Sequence, residues 1–291
     1  MKAYSTSLTL HTGKAPRRQL VDNLIALIIE VNELLQKEED LSPTNQVVTN
    51  IINQLSLQLR SHYLPEEIKL ILSNEYILLN HKKLQDKLSE AEFLVELSVS
   101  REIVKSKSSA SDVLTKLPTW SIYKSLVSQE LSMLRQFIRQ NGHAEKLPII
   151  FVGSGPMPLS AIILHLLSDV EVICLEMDSV AYEASCFLLE RLGLADKVTV
   201  VMENGSQFDY SSYSRIFVAS LVHNKLEVLE QIIHTTSDPI VAVRTAEGIK
   251  QLMYEAIDES QLNKQGWRIV ERTYPEENLV INSTLFLEYH N

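Results

Sequence analysis

The stretch FVGSGPMPLS, residues 151–160, decides the fold of this chain. The apolar run that leads into it, residues 147–152, is typical of a buried parallel strand. Two glycines then allow a sharp turn with close backbone approach to a ligand, and Pro156 suits a first helical turn because it has no N–H to lose. A strand, a glycine turn and a helix N-terminus together predict a nucleotide or adenosyl site. The loop residues of this site are Gly153, Ser154, Gly155 and Pro156.

The loop lacks the third glycine of the dinucleotide fingerprint, because Gly155 is followed by Pro-x-Pro. A pyrophosphate needs close backbone approach along the whole loop, so a smaller adenosyl ligand is favoured. The G-x-G pattern is weak when it stands alone, and the residues that follow strengthen it.

The next predicted strand, residues 170–175, ends in acidic residues. An acidic side chain at the tip of the second strand of a Rossmann-like domain accepts hydrogen bonds from ribose hydroxyls. Glu176 is therefore predicted to bind ribose, with Asp178 as the second candidate. The alternatives are a solvated strand end for Glu176 and a helix N-cap for Asp178.

Composition narrows the class of protein. A net charge of −10 argues against nucleic acid or an anionic membrane as the main partner, and no apolar run approaches the roughly 20 residues that span a bilayer. Asp22 and Glu30 interrupt the N-terminal region and argue against a signal peptide. Cys174 and Cys186 fit thiols in a reducing cytoplasm, which is the expected location. The eight histidines lack metal-ligand spacing, so no metal is predicted.

The first half of the chain carries apolar residues at helical spacing and is predicted to be all helix. Ser42-Pro43 is typical of a helix start, and Ser89-x-x-Glu92 resembles a capping box. Helices are predicted over residues 19–37, 43–62, from 65 onward, 89–106 and 119–140, with a loop at 107–119.

From Leu147 onward, predicted strands alternate with helices. The strands are placed at residues 147–152, 170–175, 198–202, 215–219, 240–244, 267–273 and 279–289. Helical crossovers followed by a terminal antiparallel hairpin, with its turn at 275–278, match the seven-stranded sheet of S-adenosylmethionine (SAM) enzymes. The predicted fold class is α/β, with an N-terminal helical bundle domain at 1–143 acting as a lid and a C-terminal Rossmann-like SAM-binding domain at 144–291.

Ligands of such sheets bind beyond the carboxyl ends of the strands. On this positional argument Asn204 and Gly205 are expected to contact adenine. The residues after the fourth strand, Ala219, Ser220 and Leu221, are expected to contact SAM through their backbone.

Four ordered motifs resemble those of nicotianamine synthases. GSGPMPLS at 153–160 is similar to G-S-G-P-L-P-L-T, and EAEFLVE at 90–96 is similar to E-A-E-G-L-L-E. YKSL at 123–126 with Glu130 is similar to Y-L-K-L…E, and RTAEG at 244–248 with Leu252 and Tyr254 is similar to R-[ST]-A-H-G…F-L-Y. The resemblance covers about residues 89–255 and joins both halves of the chain.

The resemblance implies transfer of the 3-amino-3-carboxypropyl (2-aminobutanoyl) arm of SAM, a co-substrate, to an amine, with release of methylthioadenosine. Plant and archaeal members make nicotianamine from three SAM molecules. Shorter bacterial members add one arm to histidine for opine metallophores such as staphylopine, and an opine dehydrogenase then acts as the functional partner. This chain has Glu247 where the family has His, and E-M-D at 176–178 where it has D-x-D, so a single-addition bacterial enzyme fits better.

Four residues are assigned roles. Glu96 is the candidate base because partial burial in an apolar stretch would raise its pKa, and the aligned glutamate is catalytic in the family. Tyr123 is the candidate partner of the acceptor amine or of Glu96. Arg244 is the candidate for a substrate carboxylate, and His223 for acceptor recognition. The alternatives are a surface charge for Glu96 and a packing role for Tyr123. For Arg244 the alternative is an internal salt bridge, and for His223 it is an ordinary loop histidine.

Two rival functions share this sequence pattern. A SAM-dependent methyltransferase would have the same fold and would release S-adenosylhomocysteine. A helical binding protein with an inactive Rossmann domain would fail to bind SAM. The sequence leaves open the D or L form of histidine, the number of additions, the metal of the final product and the oligomeric state, with a homodimer as one outcome.

Overall fold

The computed structural model describes residues 14–141, 146–275 and 282–289. The first half is helical, as predicted. Its helices are α1 (Lys14–Lys37), α2 (Gln46–Gln58), α3 (Pro65–Leu72), α4 (Glu75–Lys105), α5 (Ala110–Thr115) and α6 (Trp120–Asn141).

The second half forms one seven-stranded sheet. Its strands are β1 (Ile149–Val152), β2 (Val172–Glu176), β3 (Val198–Met202), β4 (Arg215–Val218), β5 (Ile240–Thr245), β6 (Trp267–Arg272) and β7 (Ser283–Tyr289). Its helices are α7 (Leu159–Ser168), α8 (Ser179–Leu192), α9 (Lys225–Thr235) and α10 (Glu259–Lys264), with a short 3₁₀ helix at Gly248–Leu252.

The sheet order is β3-β2-β1-β4-β5-β7-β6. The first five strands of this order are parallel, whereas β7 is antiparallel to both β5 and β6. The predicted fold class, including the terminal antiparallel hairpin, is confirmed. Most of the hairpin turn predicted at 275–278 lies outside the described residues.

Two predicted helix starts are wrong. Ser42-Pro43 does not begin α2; Asn45 caps that helix, and its side chain accepts the N–H groups of the second and third residues, 47 and 48. Ser89 does not begin a helix, because α4 is continuous from its cap at Asn74. Buried residues at helical spacing, such as Ile77 and Leu84, hold the segment before Ser89 against the core, and their burial outweighs a local capping pattern.

The helix after the glycine loop, predicted to begin at Pro156 or just after it, begins at Leu159. Pro158 directly precedes the first residue of α7. A proline disfavours helical backbone in the residue before it, so Met157 cannot easily join the helix. The predicted loop at 107–119 contains α5, whose cap Ser109 accepts the N–H of Asp112 through its hydroxyl.

Apolar packing joins the two halves. Ile249 and Leu252 of the 3₁₀ helix are buried in the core of α1–α4, although they follow β5 in the chain. Conversely, Leu114, Val127 and Leu131 of the helical half are buried in the core on one face of the sheet. The helical half is thereby fixed over the sheet, while its boundary at 143 remains a prediction. None of the described helices is both long and apolar enough to cross a bilayer.

Candidate active site

The glycine loop lies between β1 and the start of α7, and its two glycines have positive φ angles of 78° and 69°. A Cβ atom at Gly153 would lie 2.4 Å from Val222 Cγ2, and one at Gly155 would lie 2.9 Å from Glu96 Oε2. Both positions therefore require glycine, for backbone conformation and for space. The second contact shows that α4, which carries Glu96, lies directly against this loop.

Glu176 holds the glycine loop from the end of β2. Its Oε2 accepts the N–H of Gly155 at 2.8 Å, and its Oε1 accepts the N–H of Asp178 at 3.0 Å. A carboxylate has about four acceptor positions, so the predicted bonds to ribose hydroxyls are compatible with these contacts. Asp178 is the N-cap of α8 and accepts the N–H of Ala181 at 2.8 Å, the alternative that the sequence left open for it.

Two further loops lie at the same edge of the sheet. Asn204 Oδ1 accepts the N–H and the hydroxyl of Ser206, both at 3.0 Å, which fixes the turn after β3. A Cβ atom at Gly205 would lie 2.5 Å from Val152 Cγ1, so this turn packs under the end of β1. Ala219, next to Ser220 and Leu221, donates its N–H to the carbonyl of Val152 at 3.0 Å. The roles assigned to these residues in SAM binding remain predictions.

The two predicted catalytic residues meet above the glycine loop. Glu96 belongs to α4 and Tyr123 to α6, and both are half-buried. The Tyr123 hydroxyl donates to Glu96 Oε1 at 3.4 Å. Two helices of the helical half thus place a carboxylate and a phenol beside the loop that leads into α7.

A second carboxylate–tyrosine pair, which sequence reasoning missed, lies beside the first. Glu92 precedes Glu96 by one helical turn on the same face of α4. The Tyr254 hydroxyl donates to both of its oxygens, at 3.1 and 3.3 Å. Both residues occur in the motifs quoted above, so the i, i+4 spacing of the two glutamates was the available signal.

Burial and like charge shift the pKa of both carboxyl groups. Desolvation raises the pKa of Glu92 to about 7, although the hydrogen bond from Tyr254 opposes the rise. Desolvation, followed by the negative charge of Glu92, raises the pKa of Glu96 well above its ordinary value. Burial and the two carboxylates also raise the pKa of Tyr123 and Tyr254, so both phenols stay protonated. A carboxyl group whose pKa is raised toward that of an amine is suited to act as a general base.

We expect the Glu92→Gln variant to move the acid limb of the pH–kcat/KM profile to lower pH. Glu96 must lose its proton to act as a base, and the negative charge of Glu92 opposes that loss. A neutral glutamine removes the opposition, so the pKa of Glu96 falls. The profile of Glu102→Gln, a variant of an exposed residue on the same helix, serves as the control. An acid limb that stays in place or moves to higher pH would contradict this coupling.

The structure gives Arg244 an internal partner. Its Nε and Nη2 donate to the two oxygens of Glu130 at 2.9 and 3.0 Å, and Nη1 donates to Ser160 Oγ at 2.9 Å. Its guanidinium lies over the ring of Phe151, and only 4% of the residue is exposed. This is the internal salt bridge that the sequence left as the alternative to substrate binding. The charge of Arg244 also acts on Tyr123, where it opposes the rise of the phenol pKa.

The two remaining residues of interest are His223 and Glu247. His223 is exposed, with its Nδ1 3.5 Å from Nζ of Lys82 on α4. Glu247, where the family pattern has His, accepts from Nη1 of Arg272 at 2.8 Å. In the part of the chain that the structure describes, no group of three or more His, Cys, Asp or Glu side chains is placed to hold a metal ion.

The sheet order, the glycine loop and the acidic tip of β2 define the class as the Rossmann-like fold of SAM-dependent enzymes. The model of the nicotianamine synthase protein family matches residues 17–291, and the chain belongs to that family. The crystal structure of MtNAS in complex with MTA and tNA shares the fold, with a TM-score of 0.75 at 18% identity over 93% of this chain and 98% of that chain.

Two relatives bear on function. Nicotianamine synthase 1 of Arabidopsis thaliana is 26% identical over 281 residues, covering 90% of this chain and 82% of that protein. The L-histidine 2-aminobutanoyltransferase of Pseudomonas aeruginosa is 30% identical over 123 residues, covering 42% of this chain and 46% of that protein. Among the plant relatives, the chain covers from 53% to 84% of their length.

Proposed function

We propose that the protein transfers the 2-aminobutanoyl arm of SAM to an amine and releases methylthioadenosine. The observation that carries this proposal is the contact of Glu96 with Tyr123 and with the glycine loop. A base at that place suits an acceptor that binds as an ammonium and must become a neutral amine before it attacks. Membership of the nicotianamine synthase family supports the same reaction.

SAM, Glu96 and Tyr123 each have a separate role in this reaction. SAM supplies a sulfonium leaving group and the arm to be transferred. Glu96 takes a proton from the acceptor ammonium, and Tyr123 orients the amine or the carboxylate through its hydroxyl. The N–C bond then forms at the γ-carbon of the methionine moiety, while the C–S bond breaks and its electron pair goes to sulfur. Holding the reactants in line contributes several kcal/mol, about 7 or more at best.

The proposed acceptor is the α-amine of histidine, with a single addition, in the synthesis of an opine metallophore. The partial similarity to the Pseudomonas aeruginosa histidine enzyme supports this choice. The departure from the family pattern at Glu247 also supports an acceptor other than that of the plant enzymes. In this proposal the product passes to an opine dehydrogenase in the cytoplasm.

A product assay tests the proposal. Purified protein is incubated with SAM and with L-histidine, D-histidine or no acceptor, and the products are identified by mass spectrometry. We expect methylthioadenosine and a histidine adduct with one aminobutanoyl arm. Formation of nicotianamine from SAM alone would show that histidine is not the acceptor. S-Adenosylhomocysteine, or no turnover in the presence of bound SAM, would contradict the proposed reaction.

A further inference from the structure

Lys225 is a buried cation with no carboxylate partner. It is the first residue of α9 and is 3% exposed. Its Nζ donates to the carbonyl of Ser220 at 2.8 Å, and among residues 14–141, 146–275 and 282–289 no carboxylate oxygen lies within 4.0 Å of it. Desolvation lowers the pKa of this lysine to about 8. A buried ammonium is costly unless an anion compensates it, so this position calls for a negatively charged ligand.

Three other cations near the carboxyl edge of the sheet are already paired. Arg244 contacts Glu130 at 2.9 Å and Arg272 contacts Glu247 at 2.8 Å. Lys82, on the lid helix α4, contacts Asp86 at 3.3 Å and is largely exposed. Lys225 differs from these three because it is both buried and without a carboxylate.

Two acceptor groups with unused capacity lie close to Lys225 or to Ser220, its hydrogen-bond partner. The carboxylate of Glu255 makes no hydrogen bond to the described residues, although its Oε2 is buried. It is close enough to Lys225 to favour the charged form of the lysine without forming an ion pair with it. Asn282 donates to the hydroxyl of Ser220 at 2.6 Å, while its Oδ1 is buried and has no partner there. The ammonium of Lys225 complements the carboxylate of a zwitterion. The carboxylate of Glu255 and the amide oxygen of Asn282 complement its N–H donors.

The position of this cluster connects it to the reaction site. Ser220 and Lys225 follow β4, Glu255 follows the 3₁₀ helix after β5, and Asn282 precedes β7. These segments leave or enter the sheet at its carboxyl edge, where ligands of such folds bind. The same segments carry Val222, which contacts the glycine loop, and Tyr254, which contacts Glu92.

We propose that Lys225 is a specificity residue that binds the α-carboxylate of the acceptor amino acid, while Glu255 and Asn282 accept from N–H donors of the same molecule. This inference rests on the proposed function. The acceptor amine must be neutral when it attacks, so the acceptor's remaining charge at that end is its carboxylate. The lid already contributes the carboxylates of Glu92 and Glu96, and a carboxylate of the acceptor needs a cation to enter beside them.

The test compares histidine with histamine, which has the same amine and imidazole but no carboxylate. In the Lys225→Met variant we expect kcat/KM for histidine to fall by about 10- to 100-fold, with kcat/KM for histamine unchanged. The affinity for SAM should stay as in the wild type, which also shows that the variant is folded. Lys146→Met removes an exposed lysine at the opposite edge of the sheet and should leave the ratio of the two acceptors unchanged.

The outcomes separate this inference from the proposed function. A wild-type protein that forms no aminobutanoyl adduct with histidine overturns the proposed function and this assignment with it. An active wild type whose preference for histidine over histamine survives in Lys225→Met overturns the assignment alone. A Lys225→Met variant that loses affinity for SAM but not for methylthioadenosine would assign Lys225 to the carboxylate of SAM and overturn its role in acceptor binding.

Discussion

The Glu96→Gln variant is expected to bind SAM as the wild type does and to lose turnover by about 10²- to 10⁴-fold, the range for removal of a general base. Glutamine keeps the shape of the side chain and can still accept from Tyr123, whose hydroxyl lies 3.4 Å from Glu96 Oε1. It cannot take a proton from the acceptor ammonium. The loss should therefore fall on kcat, measured by the release of methylthioadenosine, while calorimetry reports unchanged affinity for SAM.

A matched control is available on the same helix. Glu90 belongs to the same motif as Glu96 but is exposed and forms a surface pair with Lys87 at 2.9 Å. Glu90→Gln should keep wild-type turnover, since exposed pairs contribute little. If Glu96→Gln turned over at the rate of this control, Glu96 would not be the base.

The Arg244→Met variant is expected to lower the free energy of unfolding by about 3–5 kcal/mol. The substitution leaves the fully buried carboxylate of Glu130 without its bidentate partner, and among the residues that the structure describes the hydroxyl of Thr284, at 2.7 Å, is the side-chain donor that remains. An uncompensated charge at the junction of α6 with β5 and β7 should loosen the contact between the helical half and the sheet. Denaturant unfolding of the wild type and the variant measures the change.

A double variant distinguishes the charge from the packing. Arg244→Met combined with Glu130→Leu removes both charges and should recover a large part of the loss, because a buried pair replaced by apolar residues is often close to neutral. A double variant as unstable as Arg244→Met alone would show that packing against Phe151 and Ser160, not the ion pair, holds this junction.

Local patterns in the sequence were sufficient to predict the sheet and the glycine loop. Strand alternation, the positions of the glycines and the acidic end of β2 are all encoded within about ten residues, and the structure confirms the fold that they predicted. The helix starts at Ser42 and Ser89 were wrong for the converse reason, and the helix predicted at Pro156 or just after begins three residues later. The backbone restriction by Pro158 delays the helix after Pro156, and the cap Asn45 replaces Ser42. Burial of the preceding turns makes α4 continuous through Ser89.

Contacts between distant segments were harder to predict. Glu92 and Tyr254 are 162 positions apart, and no local pattern indicates that a phenol after β5 reaches a carboxylate on α4. For Arg244 the sequence offered two partners, a substrate or a protein carboxylate. The choice depended on where α6 placed Glu130, 114 positions earlier in the chain. Lys225 was missed because lysines are mostly exposed and only the packed structure shows that this one is buried.

The most direct test of the central claim asks which carbon of SAM is transferred. Two samples of SAM are supplied with histidine, one isotopically labelled in the methyl group and one in the aminobutanoyl arm. The proposed reaction predicts that label from the arm appears in the histidine adduct, while label from the methyl group stays entirely in methylthioadenosine. Methyl label in the acceptor, accompanied by S-adenosylhomocysteine, would contradict the account and make the protein a methyltransferase.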